Sequence, residues 1–390
     1  MKKVLIDCTL TGGRGPAKKA VEFIWECQRL GIPYKLMTDK RLVAILNDFN
    51  IKPDYIVPVD FSSSNEEVYS LFEKTMSQIP YDVLIKFGAR TPGPYVARKQ
   101  GKPYIIIDGG LPDSYSSYPS MYDKDTYEKA AIFIVTSNFP WIPTPPIFIK
   151  NVRVAYFPLS GKSMERIEKI KVLSNSEIKR KFGKYFTSFA KNPTLSINLS
   201  MTNDYVDSKN RTTYGAWLKT YEYDQCVGFI RRLITDLGST NKNIEVILDS
   251  KIARVATDVL EEFKNITIVT WKSDWDYEAE IALDMLSDIT ISRAANYQPF
   301  IFALSRGNSI TSAVPASGYM NEDNAAIQAQ ALGFTENIPY DDERYIERLM
   351  AFFKDKNKQV NMAKNQKQNF ESFRKNNNSL TLLLNFINSL

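Results

Sequence analysis

The apolar positions of the first 160 residues follow two spacings. Short apolar runs predict buried strands, and apolar residues at helical spacing, such as those from Ala20 to Leu30, predict helices. The predicted strands are Lys3 to Asp7, Tyr34 to Met37, Tyr55 to Val59, Val83 to Phe87, Pro103 to Ile107 and Ala131 to Thr136. The predicted helices are Pro16 to Leu30, Arg41 to Phe49, Glu66 to Gln78 and one beginning near Pro94. Strands separated by helices of this length are expected to pair in parallel, which predicts a doubly wound α/β domain.

A second alternating series begins near residue 194. Its predicted strands are Leu195 to Leu199, Ile244 to Leu248, Ile266 to Val269, Ile289 to Ser292 and Ile310 to Val314. Its predicted helices are Asp224 to Leu237, Ile252 to Phe263, Tyr277 to Leu286, a short one after Ser292, Glu322 to Leu332 and Asp341 to Phe353. The sequence therefore predicts two Rossmann-like α/β domains in tandem.

The segments between and after these series are more polar. Residues 161–193 are basic and predict a connecting segment with one or two helices, in which Ser174 or Asn175 is the N-cap and Glu177 lies behind it. Residues 356–378 are rich in Lys, Asn and Gln and predict a solvated helix, whereas 380–390 are apolar and predict a helix that docks. We expect an N-terminal domain at 1–160, the connection at 161–193, a C-terminal domain at 194–375 and a docking helix at 376–390.

Composition excludes several kinds of catalytic site. The 390 residues include no histidine, which removes Ser/His/Asp and Cys/His nucleophilic sites and every imidazole base. Proton transfer is left to Asp, Glu, Lys, Tyr or Cys. Three widely separated cysteines predict neither a disulfide framework nor a zinc site, which favours a cytoplasmic location. No apolar stretch is long enough for a signal peptide or a membrane span, and the net charge of +6 is too mild to identify a partner.

Two loops of the N-terminal domain follow predicted strands and carry candidate chemistry. Gly12, Gly13, Arg14 and Gly15 could bring backbone N–H groups and one cation to an anion, although they match neither a Rossmann nor a Walker motif and could equally form a plain turn. Asp108 and Asp113 follow the strand that ends at Ile107. Either carboxylate could act as a general base, or each could cap a turn or helix.

The C-terminal domain places small polar residues after four successive strands. In an open parallel sheet such positions face the ligand crevice. Each segment alone could also be an ordinary loop or cap, and it is their serial arrangement that favours a ligand site. The candidate residues are Ser200, Thr202, Trp271, Lys272, Ser292, Arg293, Asn296, Glu322, Asp323, Asn324 and Gln328.

These residues resemble a known pattern. Ser292-Arg293-Ala294, the strand ending at Pro315, and the segment from Glu322 to Ala329 look like the nucleotide-sugar half of GT-B glycosyltransferases, the MurG-like group in particular. The resemblance implies that Thr270 and Trp271 contact the nucleotide base, and that residues 12–15 form an acceptor-side loop. It also implies two Rossmann-like domains that face a central cleft. The likeness spans both domains in layout and is motif-level over about 289–332.

The chain departs from that family at two functional positions. The family places an acidic residue that holds the ribose on the helix before Gly307, and here that helix has none between Pro299 and Leu304. A histidine often follows the N-terminal glycines in the family, and Pro16 stands in that region here. The resemblance therefore implies that any catalytic base is a carboxylate, with Asp108 and Asp113 as the candidates.

The leading hypothesis is a metal-independent glycosyltransferase that uses a nucleotide-diphosphate sugar, with a UDP-sugar as the expected donor. Arg293 and helix N-termini would offset the charge of the leaving diphosphate. The acceptor could be a glycan, a lipid-linked molecule or a small molecule, and a nucleic-acid acceptor stays open. The basic helices could rest on an anionic membrane or be solvated faces. The alternatives are a nucleotide-sugar epimerase or hydrolase of the same fold, and a non-catalytic scaffold protein.

Overall fold

The structure is a computed structural model of the chain. It describes residues 2–9, 14–59, 63–109, 123–142, 149–185, 193–198, 222–240, 242–249, 262–271, 277–292, 299–312 and 322–390. The elements lie in two parallel sheets of seven and six strands, each with helices packed against it. The predicted fold class, two doubly wound α/β domains, is confirmed.

The first sheet has the strand order β3-β2-β1-β4-β5-β6-β7, with every neighbouring pair parallel. Its strands are β1 (Val4–Cys8), β2 (Tyr34–Asp39), β3 (Tyr55–Val57), β4 (Val83–Phe87), β5 (Tyr104–Asp108), β6 (Ile132–Ser137) and β7 (Val152–Tyr156). The helices between them are α1 (Arg14–Leu30), α2 (Lys40–Asp48), α3 (Asn65–Met76), α4 (Pro92–Lys99) and α5 (Lys124–Glu128). Alternate side chains of one strand lie in two different cores, since Ile6 packs with α1 and Leu5 packs with α3.

The second sheet has the order β10-β9-β8-β11-β12-β13 and is also parallel. Its strands are β8 (Thr194–Asn198), β9 (Ile244–Asp249), β10 (Ile266–Trp271), β11 (Ile289–Ser292), β12 (Ser309–Thr311) and β13 (Glu336–Asn337). Its helices are α8 (Glu222–Gly238), α9 (Tyr277–Leu286), α10 (Pro299–Leu304), α11 (Glu322–Ala331) and α12 (Tyr345–Lys354). Two edge strands, β7 and β13, are absent from the sequence-based prediction, because one is half exposed and the other is two residues long. Most of the helix predicted at 252–263 lies outside the described residues.

The basic connection contains two helices, α6 (Gly161–Lys171) and α7 (Asn175–Phe182). Ser174 is the N-cap of α7 and forms a capping box with Glu177, as the sequence predicts. The N-terminus of α6 is bound by α1, because Glu22 accepts hydrogen bonds from the backbone N–H of Ser160 (2.7 Å) and the hydroxyl of Ser163 (2.6 Å). The connection is therefore hydrogen-bonded to the first domain, and Ile167, Ile170, Ile178 and Phe182 share a core cluster with residues of both domains.

The helix rich in Lys, Asn and Gln, α13 (Lys356–Asn376), has a buried face rather than being solvated all round. Gln366 is fully buried, and its amide accepts from the N–H of Gly307 (3.0 Å) and donates to the carbonyl of Phe334 (2.8 Å). Asn369 donates to the carbonyl of Asn138 in the first domain (2.8 Å). The amide side chains thus satisfy buried backbone groups. A hydropathy pattern scores these same side chains as polar surface.

The last helix, α14 (Ser379–Ser389), packs on the first domain. Leu380, Leu383 and Ile387 belong to the core cluster that contains β1 and α1. The backbone N–H of Tyr156 in β7 donates to the carbonyl of Asn377 (2.5 Å), just before α14 begins. Helix α14 therefore belongs to the domain that contains β1.

Candidate functional site

The carboxyl ends of β1 and β4 form the point of the first sheet where strand order reverses. Ligands of doubly wound folds bind at such a point. β1 and β4 are neighbours although β2 and β3 separate them along the chain, and the glycine-rich loop leaves β1 here. Gly15 lies in the first turn of α1, where nothing is within 4 Å of the position a Cβ would take. The backbone of Arg14 begins the same helix, whereas Gly12 and Gly13 lie outside the described residues.

A buried ion pair, absent from the sequence-based prediction, joins these two strands. The Lys86 ammonium lies 3.1 Å from Asp7 Oδ1 and donates to the carbonyl of Thr9 (2.6 Å). Asp7 Oδ1 also accepts from the N–H (2.9 Å) and the hydroxyl (2.6 Å) of Thr9. Both charged side chains are fully buried. The ion pair holds Thr9, the residue that follows β1 and precedes the glycine-rich segment, because both charged groups bond to it. The signal in the sequence is one charged residue inside each of two otherwise apolar strands.

The second oxygen of Asp7 faces the start of α4. Asp7 Oδ2 is buried without a hydrogen-bond partner, and a Cβ on Gly93 would lie 2.0 Å from it. Pro92 and Pro94 flank Gly93 and have no N–H to offer this oxygen. Gly93 is therefore required by the close approach of the carboxylate to the backbone.

Asp108, one of the two predicted catalytic carboxylates, lies at the end of β5 and is 5% exposed. Its Oδ1 accepts from the N–H of Gly109 (2.7 Å) and lies 4.0 Å from the Lys19 ammonium. Lys19 is 2% exposed and projects from α1, and its ammonium lies 5.7 Å from the centre of the Phe157 ring. Burial lowers the pKa of Lys19 from 10.5 to about 8, and Asp108 opposes that shift. Asp113, the other predicted carboxylate, lies outside the described residues.

Two hydroxyls lie next to each other near the carboxyl end of β4, that of Thr91 in the segment after β4 and that of Tyr69 in α3. Thr91 Oγ1 is 3.2 Å from the Tyr69 hydroxyl and accepts from the backbone N–H of Asp123 (2.9 Å). Burial raises the pKa of Tyr69 to about 12, so this phenol stays protonated at neutral pH. Sequence reasoning missed both residues, because neither lies in a recognisable motif.

In the second sheet the reversal point lies between β8 and β11. Asn198 and Ser292, the last residues of these strands, are register partners. The strands that precede the segments with Ser200 and Thr202 and with Arg293 and Asn296 therefore end side by side. Ser292 itself is 2% exposed and its hydroxyl donates to the carbonyl of Ile310 (3.4 Å).

The other predicted donor-binding residues differ in how far they are described. Trp271 is the last residue of β10, opposite Asp249 of β9, and Glu322 and Asp323 begin α11. The side chains of these three predicted residues are not among the described ones. The predicted residues that lie wholly outside the described part of the chain are Ser200, Thr202, Lys272, Arg293 and Asn296.

Asn324 and Gln328 lie one turn apart on α11 and face the first domain. Gln328 Oε1 accepts from the N–H of Ile142 (2.8 Å), and Gln328 Nε2 donates to the carbonyl of Ile142 (2.9 Å) and to Asn324 Oδ1 (3.0 Å). Ile142 belongs to the segment after β6, and its side chain is 78% exposed. Two residues predicted to bind the donor are thus brought together and bound across the two domains.

Within the described ranges, no group of three or more carboxylate or thiol side chains is placed to hold a metal ion. The same part of the chain contains no helix with the length and apolarity needed to cross a bilayer.

Comparison of the whole chain with solved structures gives matches along its full length. MurG of Acinetobacter baumannii is 13% identical over 100% of both chains, with a TM-score of 0.57. A UDP-GlcNAc 2-epimerase of Neisseria meningitidis, bound to UDP-GlcNAc, is 15% identical over 100% of both chains, with a TM-score of 0.62. A glycosyltransferase of Rickettsia africae ESF-5 is 13% identical, covers 100% of this chain and 98% of its own, and has a TM-score of 0.62. No family model and no curated protein matches the sequence.

These likenesses define the fold. The chain has the GT-B fold, in which two α/β domains each end their strands towards a shared cleft, as the resemblance in the sequence implies. The structures that share it include both glycosyltransferases and epimerases.

Proposed function

We propose that the protein is a glycosyltransferase that moves a sugar from a nucleotide-diphosphate donor, with a UDP-sugar as the first candidate, to an acceptor hydroxyl. The observation that supports it most is the GT-B fold, shared over the full chain with MurG and other glycosyltransferases. The reversal points of both sheets also coincide with the segments that the sequence singles out.

The donor is proposed to bind at the ends of β8 and β11. Ser200, Thr202, Arg293 and Asn296 follow those strands and would contact the diphosphate, while Trp271 and Lys272 follow β10 and would contact the base. Positive charge from Arg293 and helix N-termini would offset the leaving diphosphate, so we propose that no divalent metal is required. If so, excess EDTA leaves turnover unchanged.

The acceptor is proposed to bind at the ends of β1, β4 and β5. Asp108 lies at the end of β5 and is the described candidate for the base, with Asp113 as the alternative. In an inverting transfer the carboxylate takes the proton of the acceptor hydroxyl, the acceptor oxygen bonds to the anomeric carbon, and the nucleoside diphosphate leaves with the bonding electrons. The Lys19 ammonium lies 4.0 Å from Asp108 Oδ1 and would balance the charge of the carboxylate that takes the proton.

Binding of a panel of UDP-sugars and other nucleotide-diphosphate sugars by calorimetry tests the donor. Release of nucleotide is then measured with and without candidate acceptors. Asp108→Asn and Asp113→Asn are each expected to bind donor normally, and the variant that lacks the base is expected to lose transfer by roughly 100-fold or more. Full turnover of both variants would rule out both carboxylates, and the absence of binding by any donor would contradict the proposal.

An epimerase is the second candidate, because the UDP-GlcNAc 2-epimerase of Neisseria meningitidis is as similar in fold as the glycosyltransferases are. An epimerase acts on the donor without an acceptor. Incubation of the protein with a UDP-sugar alone, followed by NMR of the sugar ring, separates the two functions. A changed ring configuration without acceptor would favour the epimerase.

A further inference from the structure

Both the donors and the acceptor oxygen of the Gln328 side chain make hydrogen bonds in the structure. Both N–H donors of its amide are used, one on the carbonyl of Ile142 (2.9 Å) and one on Asn324 Oδ1 (3.0 Å). Its carbonyl oxygen accepts from the N–H of Ile142 (2.8 Å). A primary amide has two donors, so Gln328 Nε2 has none left for another ligand while these bonds are made.

The hydrogen bonds between Gln328 and Ile142 can be replaced by hydrogen bonds to water at little cost in free energy. Ile142 is 78% exposed, so its backbone groups can bond to water when the amide of Gln328 leaves. Three residues earlier, by contrast, Phe139 is fully buried and packs against Phe302 and Phe334 of the second domain. Asn369 donates a hydrogen bond to the carbonyl of Asn138, the residue before Phe139. The segment after β6 therefore has a buried anchor near its start and a solvent-exposed contact at Ile142.

We propose that Gln328 is a two-position switch, which closes α11 onto the backbone of Ile142 in the free protein and turns to the donor sugar when a nucleotide sugar binds. This inference rests on the proposed function and on the sequence-based prediction that Asn324 and Gln328 belong to the donor site, and it adds a regulation of that site. Because the two positions of the amide exclude each other, the contact with Ile142 competes with the donor and lowers its apparent affinity.

The switch also couples the two domains. The segment after β6 belongs to the first domain, where the acceptor is proposed to bind, and it loses a contact with the second domain when the donor arrives. A contact that opposes donor binding is in turn weakened by the donor, because coupling between two sites is reciprocal. Donor occupancy would therefore be sensed at Ile142.

Hydrogen exchange of the Ile142 amide measures the closed position directly. In the free protein, Gln328→Ala is expected to speed this exchange roughly threefold to tenfold, the range that corresponds to one net hydrogen bond. Gln330→Ala is the matched control, since Gln330 lies on the exposed side of the same helix. Unchanged exchange in Gln328→Ala would overturn the proposal.

Ile142→Pro tests the competition without altering α11, because proline removes the N–H that Gln328 accepts from. The donor affinity of Ile142→Pro is expected to rise roughly threefold to tenfold over that of Ile142→Ala, which keeps the N–H and loses only the exposed side chain. In the wild-type protein, saturating UDP-sugar is expected to speed exchange at Ile142. Equal donor affinities of the two variants, or slower exchange with donor, would overturn the switch.

The two proposals can fail separately. If no nucleotide-diphosphate sugar binds the wild type or Ile142→Pro, both the proposed function and the role of the donor as the opening ligand are refuted. If the donor binds and Ile142 exchange does not rise, the proposed function stands and the switch is refuted.

Discussion

A single carboxylate oxygen sets the identity of residue 93. Asp7 Oδ2 occupies the space that a Cβ would need, so the helix α4 can only pass the end of β1 at a glycine. The same carboxylate binds Lys86 and Thr9 through its other oxygen, which leaves it little freedom to move away.

We expect Gly93→Ala to lower the free energy of unfolding by about 1–3 kcal/mol, the usual cost of overpacking a core. Urea unfolding followed by circular dichroism measures the change. Gly228→Ala is the control: Gly228 lies in the interior of α8 with nothing within 4 Å of its Cβ position, so alanine there should be neutral or stabilising. A Gly93→Ala protein as stable as the wild type would contradict the close approach.

The buried Lys19 predicts a pH-dependent stability. Its pKa is about 8 in the folded protein and near 10.5 when exposed, so between these values the unfolded chain binds more protons. Stability from this group therefore increases as pH rises from about 8 to 10.5, by about 1.4 kcal/mol per unit of pKa difference. Lys19→Met is expected to lack this rise, so the difference in stability between variant and wild type, measured by urea unfolding at several pH values, should change across this range. A parallel pH dependence in both proteins would show that Lys19 does not carry the shift.

Helix α13 shows how an element can mislead sequence interpretation. Its residues are polar almost throughout, and the amphipathic pattern that marks a buried helix is weak. Gln366 of α13 is buried because its amide binds backbone groups that are distant in the sequence. These groups are the N–H of Gly307 and the carbonyl of Phe334. No local pattern contains that information.

Replacement of Gln366 by leucine should leave the N–H of Gly307 without a partner, whereas the carbonyl of Phe334 keeps the hydroxyl of Ser309 as a donor (3.3 Å). The expected loss is about 1–3 kcal/mol for the buried N–H left unsatisfied. Gln368→Leu, on the exposed side of the same helix, should change stability by less than about 0.5 kcal/mol. Thermal unfolding of both variants makes the comparison, and equal melting temperatures would contradict the structural role of the amide.

Sequence-based prediction agrees best with the structure where the pattern of apolar residues alone decides the secondary structure. Regular strands such as Val83–Phe87 and helices such as Tyr277–Leu286 agree with the structure because they are rich in apolar residues. Edge strands were missed, since β13 has only two residues. At the site, the position of Asp108 after a predicted strand indicates a functional carboxylate, whereas the burial of Lys19 and Lys86 depends on elements that come together only in the fold.

The two domains share a continuous apolar interior. Ile301 and Phe302 of the second domain belong to the same core cluster as Leu5 and Val96 of the first, and α14 adds its apolar face to the cluster around β1. Whole-molecule stability is therefore expected to depend on residues far from one another in sequence.

Leu383 tests this dependence. It is fully buried in the cluster that contains Val4 and Ile24, so Leu383→Ala is expected to cost about 2–5 kcal/mol. Hydrogen exchange should rise in β1 as well as in α14. Leu390→Ala, at a position that is 40% exposed, serves as the control and should have little effect. If exchange rose in α14 alone, the helix would not be part of the first domain's cooperative unit.

The return of α14 to the first domain has a consequence for synthesis. The ribosome makes β1 long before α14, so the first domain waits for this helix until the intervening second domain has been translated. During that interval the surface that Leu380, Leu383 and Ile387 later cover is bare. Ribosome-bound chains that stop short of Ser379 should recruit chaperones, and these should release from chains that include α14.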